Sequence, residues 1–307
     1  MTVQFQANPP YDGLVAKVKG TFGPHWIEKQ RLVPLEARHV VVRWLDEWNA
    51  LPERLFAESE VEVAESHLSG QAQELVALGC DLTTLGASGP LPSKLRNRLR
   101  DHREYQGARY ELAVAAMIQR CGLPIRWHPD KSIPEWRIYA ARGGPEFFAS
   151  IPGTQVRVAV EAKSRHRPGA LNVEGTLDTE AYLADVGHLL HAAEQKDTQG
   201  CPLIVFIDLN LPDRPDVEGK PAWLHQIEVL MSAYDGPERS AGFCLAVFTN
   251  FAWHFAGQTS VLTRPPASLH VPKRSLRELK YPTLVDRIHR ALEGYGVPSS
   301  EGALLQG

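Results

Sequence analysis

Glu161 and Lys163 are the residues whose types and spacing point most directly to chemistry. The Glu-x-Lys pattern alone carries little weight. It occurs three more times, at Glu194–Lys196, Glu218–Lys220 and Glu278–Lys280. Only the copy at 161–163 closes a run of alternating valines, QVRVAV at 155–160, which predicts a strand. Because side chains two residues apart on a strand share one face, we expect this carboxylate and this ammonium to stand side by side.

A second acid precedes this strand. Pro134-Glu135 opens another run typical of a strand, WRIYA at 136–140, and a hairpin would bring Glu135 beside Glu161. Two adjacent carboxylates repel each other and need a cation, and their oxygen ligands suit Mg²⁺ or Mn²⁺. Asp130 is the alternative first acid if the strand begins earlier. A solvent-exposed Glu135 without a metal role also stays open.

Glu111 and Gln195 could assist such a site. On a helix, Glu111 shares an apolar face with Val114, Ala115 and Ile118. A buried carboxylate without a partner is costly, so either a basic residue such as Arg109 or a metal must compensate it. Gln195 lies near the end of a predicted helix at 179–196 and could position a water or a phosphate. A plain surface glutamine is the alternative.

The order of these features resembles the PD-(D/E)xK, or restriction-endonuclease-like, nuclease superfamily. Over residues 107–210, a glutamate in a helix is followed by a Pro-acid pair, the Glu-x-Lys strand, a helix with Gln195 and the apolar strand LIVFIDLNL at 203–211. The resemblance implies an α/β fold with a mixed sheet flanked by helices. It implies that the acids hold divalent metal while the lysine orients the attacking water. These roles fall on Glu135, Glu161, Lys163, Glu111 and Gln195, with the three glutamates as metal ligands. The family's usual first acid is Asp, so the glutamate at 135 departs from its pattern.

Positive charge that could attract a nucleic acid lies in the predicted helix 94–121 and just after the Glu-x-Lys strand. The expected phosphate contacts are Arg96, Arg100, Arg103, Arg165 and Arg167. The resemblance thus implies metal-dependent phosphodiester hydrolysis, with DNA as the expected substrate, in bacterial defence or repair. A homodimer is expected, since cutting two strands needs two sites. The alternatives are an inactive nuclease-like fold that binds nucleic acid or protein, and a plain scaffold with an ordinary ion pair.

The 307 residues suffice for one large domain or two ordinary ones. We expect a mostly helical region of unknown role at 1–90, irregular up to residue 20, then a linker at 82–94 and a nuclease-like domain at 94–300. A strand is expected within 242–255 and a helix at 284–292. The four cysteines form no CxxC pair, which disfavours a zinc site or disulfides and favours a reducing cytoplasm. No apolar run is long enough to span a membrane, and the net charge of −3 disfavours non-specific coating of nucleic acid.

Overall fold

A computed structural model describes residues 2–5, 11–57, 64–127, 143–164, 179–212, 221–235, 241–251, 254, 267–271 and 283–296. Within these ranges the protein is α/β, with nine α-helices, a two-stranded sheet and a six-stranded mixed sheet. The predicted α/β class and mixed sheet are confirmed. None of the helices in these ranges is long and apolar enough to cross a membrane.

The six-stranded sheet carries the candidate site. Its strands, in spatial and chain order, are β3 (Ile125–Trp127), β4 (Phe147–Ser150), β5 (Arg157–Lys163), β6 (Leu203–Asp208), β7 (Leu245–Thr249) and β8 (Ala267–His270). The β5–β6 and β6–β7 pairs are parallel, and the other pairs are antiparallel. The predicted strands at 155–160, 203–211 and 242–255 are therefore confirmed, whereas the one at 136–140 lies outside the described residues.

Helices cover both faces of this sheet. Val158 and Val160 of β5 join the apolar core that contains α6 (Tyr105–Arg120), while Ala159 joins the core beneath α7 (Thr179–Glu194). β6 is buried along its whole length because its alternate residues feed both cores, which explains its uninterrupted apolar sequence. The valine alternation that predicted β5 therefore reflects a strand with two buried faces.

The N-terminal region is mostly helical, as expected. Its helices are α1 (Asp12–Phe22), α2 (Pro24–Arg31), a short 3₁₀-helix (Leu35–Ala37), α3 (Val40–Ala57) and α4 (Gly70–Gly86). Strands β1 (Thr2–Phe5) and β2 (Ala64–His67) form the antiparallel two-stranded sheet. The expectation of irregular structure up to residue 20 was wrong, because Val15, Val18 and Phe22 bury one face of α1.

Two further boundaries differ from expectation. The linker is shorter than 82–94, because Leu82 and Leu85 continue the buried face of α4 to Gly86. The expected single helix at 94–121 is two helices, α5 (Ser93–Arg100) and α6, separated by a turn in which the Asp101 carboxylate accepts from the backbone of Arg103 at 2.8 Å. α6 ends at Arg120, two residues before Gly122, whose left-handed φ of 76° is typical of a glycine that follows a helix.

One apolar core joins the N-terminal helices to the sheet. α4 packs against α1 on one side and against α6 on the other, and the same cluster of buried side chains extends to β5. The domain boundary at residues 90–94 stays a prediction. Further along the chain, α8 (Ala222–Ser232) lies between β6 and β7, and α9 (Leu284–Glu293) confirms the expected C-terminal helix. Cys80, Cys121, Cys201 and Cys244 are free thiols.

Candidate active site beside β4 and β5

Two glutamates meet where β4 begins and β5 ends. Phe147 of β4 is paired with Val160 of β5, and the preceding Glu146 donates its backbone N–H to the Val160 carbonyl at 3.1 Å. This places Glu146 next to Glu161. The two carboxylates interact, since the negative charge of Glu146 contributes to the raised pKa of Glu161. The hairpin geometry expected for Glu135 is therefore supplied by Glu146 within the described residues.

Glu161 is a fully buried carboxylate that is only partly compensated. Its Oε1 forms ion pairs with Lys163 Nζ and, at 3.2 Å, with Lys196 Nζ. Its Oε2 is buried and accepts no hydrogen bond from any described residue. Burial raises the pKa of Glu161, Lys163 and Lys196 partly offset the shift, and Glu146 adds to it. Loss of hydration therefore disfavours the charged form of Glu161 more than the two lysines favour it.

A third glutamate approaches from α6. Glu111 is buried, as its helical position predicted, and it forms an ion pair with Arg98 of α5. Burial and the charge of Glu146 raise the pKa of Glu111 to about 7, with Arg98 acting in the opposite direction. α6 runs close to the end of β5, since a Cβ built on Gly107 would lie 3.6 Å from the Ser164 carbonyl oxygen. Glu146 is thus electrostatically coupled to both of the other glutamates.

Arg109, the partner suggested for Glu111, belongs to a different cluster. The Arg109 network comprises Arg109, Glu74, Asp81, Arg120, Tyr295 and His254. The Arg109 guanidinium donates to Glu74, to Asp81 at 2.7 Å and to the Tyr295 hydroxyl at 3.0 Å. Asp81 also accepts from Tyr295 and Arg120. Every carboxylate oxygen in this network therefore has a partner, and the network connects α4 to α6.

The other expected site residues fall in three groups. Gln195 lies just beyond the end of α7 with an exposed side chain, and within the described turn it is Lys196 that contacts Glu161. Arg96 and Arg103 are exposed, whereas Arg100 donates to the carbonyls of Thr21 and Phe22 at the end of α1. Outside the described residues lie Glu135, Asp130, Arg165 and Arg167.

Three residues at the site were missed from the sequence: Glu146, Lys196 and Arg98. A signal existed for the first, because Pro145-Glu146 is a Pro-acid pair followed by two phenylalanines. Gly143, Gly144 and Pro145 immediately before Glu146 are residues typical of a turn, which obscures the start of β4. Lys196 belongs to the Glu194–Lys196 copy of Glu-x-Lys, which no run of alternating valines precedes. Arg98 gave no signal beyond its charge.

The donor chemistry of the site suits a hard divalent cation. No group of three or more metal-ligating side chains lies close enough together among the described residues to form a complete cage. Mg²⁺, however, is commonly held by one or two carboxylates, with water and substrate phosphate completing its shell. Glu146 and Glu161 provide two such carboxylates, and the unbonded Oε2 of Glu161 is an available oxygen donor.

Comparison with known proteins gives no independent assignment. No protein-family model, curated protein or solved structure matches this chain.

Proposed function

We propose that this protein is a metal-dependent nuclease that hydrolyses phosphodiester bonds, with DNA as the expected substrate. The observation that carries the proposal is the meeting of Glu146, which immediately precedes β4, with Glu161 of β5, and Lys163 follows on β5. The described elements follow the order α6, β3, β4, β5, α7 and β6. This order is compatible with the resemblance to PD-(D/E)xK nucleases, although the resemblance was based on the strand predicted at 136–140 and not on β4. Glu146 takes the place in this order that the sequence had assigned to Glu135.

The residues divide the work as follows. Glu146 and Glu161 would hold Mg²⁺ or Mn²⁺, with Glu111 contributing through water. When bound, such an ion polarises the phosphoryl oxygen and lowers the pKa of a bound water. Lys163 places its ammonium next to Glu161, where it can orient the attacking water and stabilise charge that develops on the phosphate.

Exposed cations near the end of α5 would guide the nucleic acid. Arg96 and Arg103 are exposed, so their guanidinium groups can reach phosphates. Arg98 is occupied by Glu111, and Arg100 donates to carbonyls at the end of α1. We therefore assign the phosphate contacts of this region to Arg96 and Arg103.

One observation favours a second candidate function, an inactive nuclease-like module that binds nucleic acid or protein. Lys163 and Lys196 both contact Glu161, and two ammonium groups can neutralise a carboxylate without a metal. In this alternative Lys163 and Lys196 remain paired with Glu161, and the site binds no metal.

A cleavage assay separates the two candidates. Supercoiled plasmid, linear duplex, single-stranded DNA and RNA are each incubated with Mg²⁺ or Mn²⁺ and the wild type, Lys163→Ala or Lys29→Ala. Lys29 is an exposed lysine of α2 and serves as the matched control. We expect cleavage by the wild type and by Lys29→Ala, and loss of cleavage in Lys163→Ala. Equal cleavage by all three, or none on any substrate, refutes the nuclease proposal, and binding without cleavage supports the second candidate.

A further inference from the structure

Lys196 reaches Glu161 from a different element than Lys163 does. It lies in the turn between α7 and β6, and its Nζ stands 3.2 Å from Glu161 Oε1, the oxygen that Lys163 also contacts. A single carboxylate needs one opposite charge for neutrality. A second ammonium on the same oxygen suggests that the site is built for more negative charge than Glu161 alone provides.

The backbone fixes the position of Lys196. Its N–H donates to the Ala193 carbonyl at 3.1 Å, and the next N–H, of Asp197, donates to the Gly143 carbonyl at 3.4 Å. Gly143 belongs to the segment that leads into Glu146, so these hydrogen bonds join the turn both to the end of α7 and to the segment before β4. The turn closes through Gln199 and Gly200, whose φ values of 54° and 73° are left-handed. Lys196 is therefore held near Glu161 by the fold.

Among the described residues, Lys163 and Lys196 both pair with Glu161, and Glu146 adds a second negative charge beside it. Arg98 pairs with Glu111 and, at 3.8 Å, with Glu104. A divalent cation held by the glutamates would leave a surplus of positive charge, which a phosphodiester would offset. The side chains of Lys163 and Lys196 are 20% and 24% exposed, so both ammonium groups can turn toward a bound phosphate.

We propose that Lys196 is a second lysine of the active site, which neutralises Glu161 before metal binds and contacts the substrate phosphate afterwards. This inference rests on the proposed nuclease function. Lys196 then competes with the metal for Glu161 and assists the nucleic acid. Its removal therefore has opposite effects on the two ligands: metal binds more tightly and nucleic acid binds more weakly. A lysine with only a structural role would not separate the two affinities in this way.

Titration with Mn²⁺ alone tests the first half without any need for turnover. Free Mn²⁺ is followed by electron paramagnetic resonance in the presence of the full chain, as wild type, Lys196→Ala, Lys196→Gln and Lys29→Ala. We expect the two Lys196 variants to bind Mn²⁺ about fivefold more tightly or better, in the range of ordinary coupling between ligands. Lys29→Ala keeps the wild-type affinity. The glutamine variant keeps a polar side chain at this position, so that the test survives a loss of fold in the alanine variant.

Fluorescence anisotropy of a labelled DNA duplex in Ca²⁺ tests the second half. Both Lys196 variants are expected to bind the duplex about fivefold more weakly or worse, a separation that again falls in the range of ordinary coupling. Unchanged or weaker Mn²⁺ affinity in the variants, or unchanged affinity for DNA, overturns the role of Lys196 and leaves the nuclease proposal standing. Failure of the wild type to bind Mn²⁺ overturns both proposals.

Discussion

The protein contains two buried clusters of charged side chains that differ in how well they are satisfied. In the Arg109 network, both oxygens of Glu74 and of Asp81 have partners, and the network joins two helices. At the Glu161 site, defined by Glu111, Glu146, Glu161, Lys163 and Lys196, one oxygen of Glu161 accepts no hydrogen bond from the described residues. Burying an unsatisfied polar atom is costly and rare in folded proteins.

This difference distinguishes charged residues that stabilise the fold from charged residues that are available to bind a ligand. A network that satisfies its own carboxylates specifies how α4 meets α6 and needs no ligand. A carboxylate that is buried, short of donors and close to other acids has its charged form disfavoured, and such groups concentrate at functional sites. The two clusters should therefore respond in opposite ways to substitution, with activity sensitive at one and stability sensitive at the other.

The largest expected effect is on catalysis at Glu146. Glu146→Gln removes the charge that stands beside Glu161, and we expect metal-dependent cleavage to fall by about a hundredfold or more, as is typical when a group that stabilises the transition state is lost. Initial rates on the best substrate measure this fall.

Two matched variants sharpen this prediction. Glu36→Gln changes an exposed glutamate of the 3₁₀-helix and should cleave as the wild type does. Glu135→Gln tests the acid that the sequence favoured and should also remain active. Loss of cleavage in Glu135→Gln together with full activity in Glu146→Gln would reverse the assignment.

The next effect is on stability at Arg109. Arg109→Met leaves the carboxylates of Glu74 and Asp81 buried with fewer donors, and we expect the free energy of unfolding to fall by about 3–5 kcal/mol. Urea denaturation followed by circular dichroism measures it. The exposed Arg96→Met is the control and should change stability by less than about 0.5 kcal/mol. A similar small change in Arg109→Met would contradict a structural role for the network.

Asp208 is a buried carboxylate that is only partly hydrogen-bonded, and we expect it to make the stability of the protein depend on pH. It is buried, its Oδ1 accepts from Thr249 at 3.3 Å and from the Phe251 backbone at 3.4 Å, and its Oδ2 has no hydrogen bond among the described residues. Burial raises the pKa of Asp208 to about 6, with His254 acting against the shift. The folded protein therefore holds this proton over a pH range in which the unfolded chain has lost it. The stability contributed by this group is present below about pH 4 and lost as the pH rises through about 6.

Asp208→Asn should remove this pH dependence. The stability of the variant relative to the wild type is expected to increase between about pH 4 and 6, by at most about 3 kcal/mol. Denaturant unfolding at several pH values, with the exposed Asp12→Asn as control, measures the difference. A constant difference between Asp208→Asn and the wild type across this range would contradict a raised pKa.

The smallest expected effect is on stability at Glu161. Glu161→Gln loses two ion pairs but no longer buries a charge, and Lys163 and Lys196 are partly exposed and can be hydrated instead. We expect the free energy of unfolding to change by less than about 1 kcal/mol while cleavage is lost. A loss of more than about 2 kcal/mol in thermal or denaturant unfolding would assign Glu161 to the structural class.

The strands and helices that carry repeating apolar patterns were predictable from sequence. The valine alternation marked β5, and helical spacing placed Glu111 on a buried face, because periodicity records which face of an element meets the core. The helix α1 was missed, since its short apolar stripe follows a proline-rich start and is interrupted by two glycines.

Lys196 and Arg98 could not be assigned to the site from apolar periodicity in the sequence. Lys196 is fixed by the Lys196–Ala193 and Asp197–Gly143 backbone hydrogen bonds, which depend on how the turn after α7 meets the segment before β4. Arg98 reaches Glu111 only because the chain turns at Asp101 and folds α5 back toward α6. Such contacts depend on loop conformation and tertiary packing, which periodicity does not encode.

The central claim, that Glu146 and Glu161 share a divalent cation, is tested most directly by anomalous diffraction from crystals soaked in Mn²⁺. We expect an anomalous peak between the two carboxylates and the withdrawal of at least one lysine from Glu161. Crystals saturated with Mn²⁺ that show no peak there, with Lys163 and Lys196 still on Glu161, would contradict it.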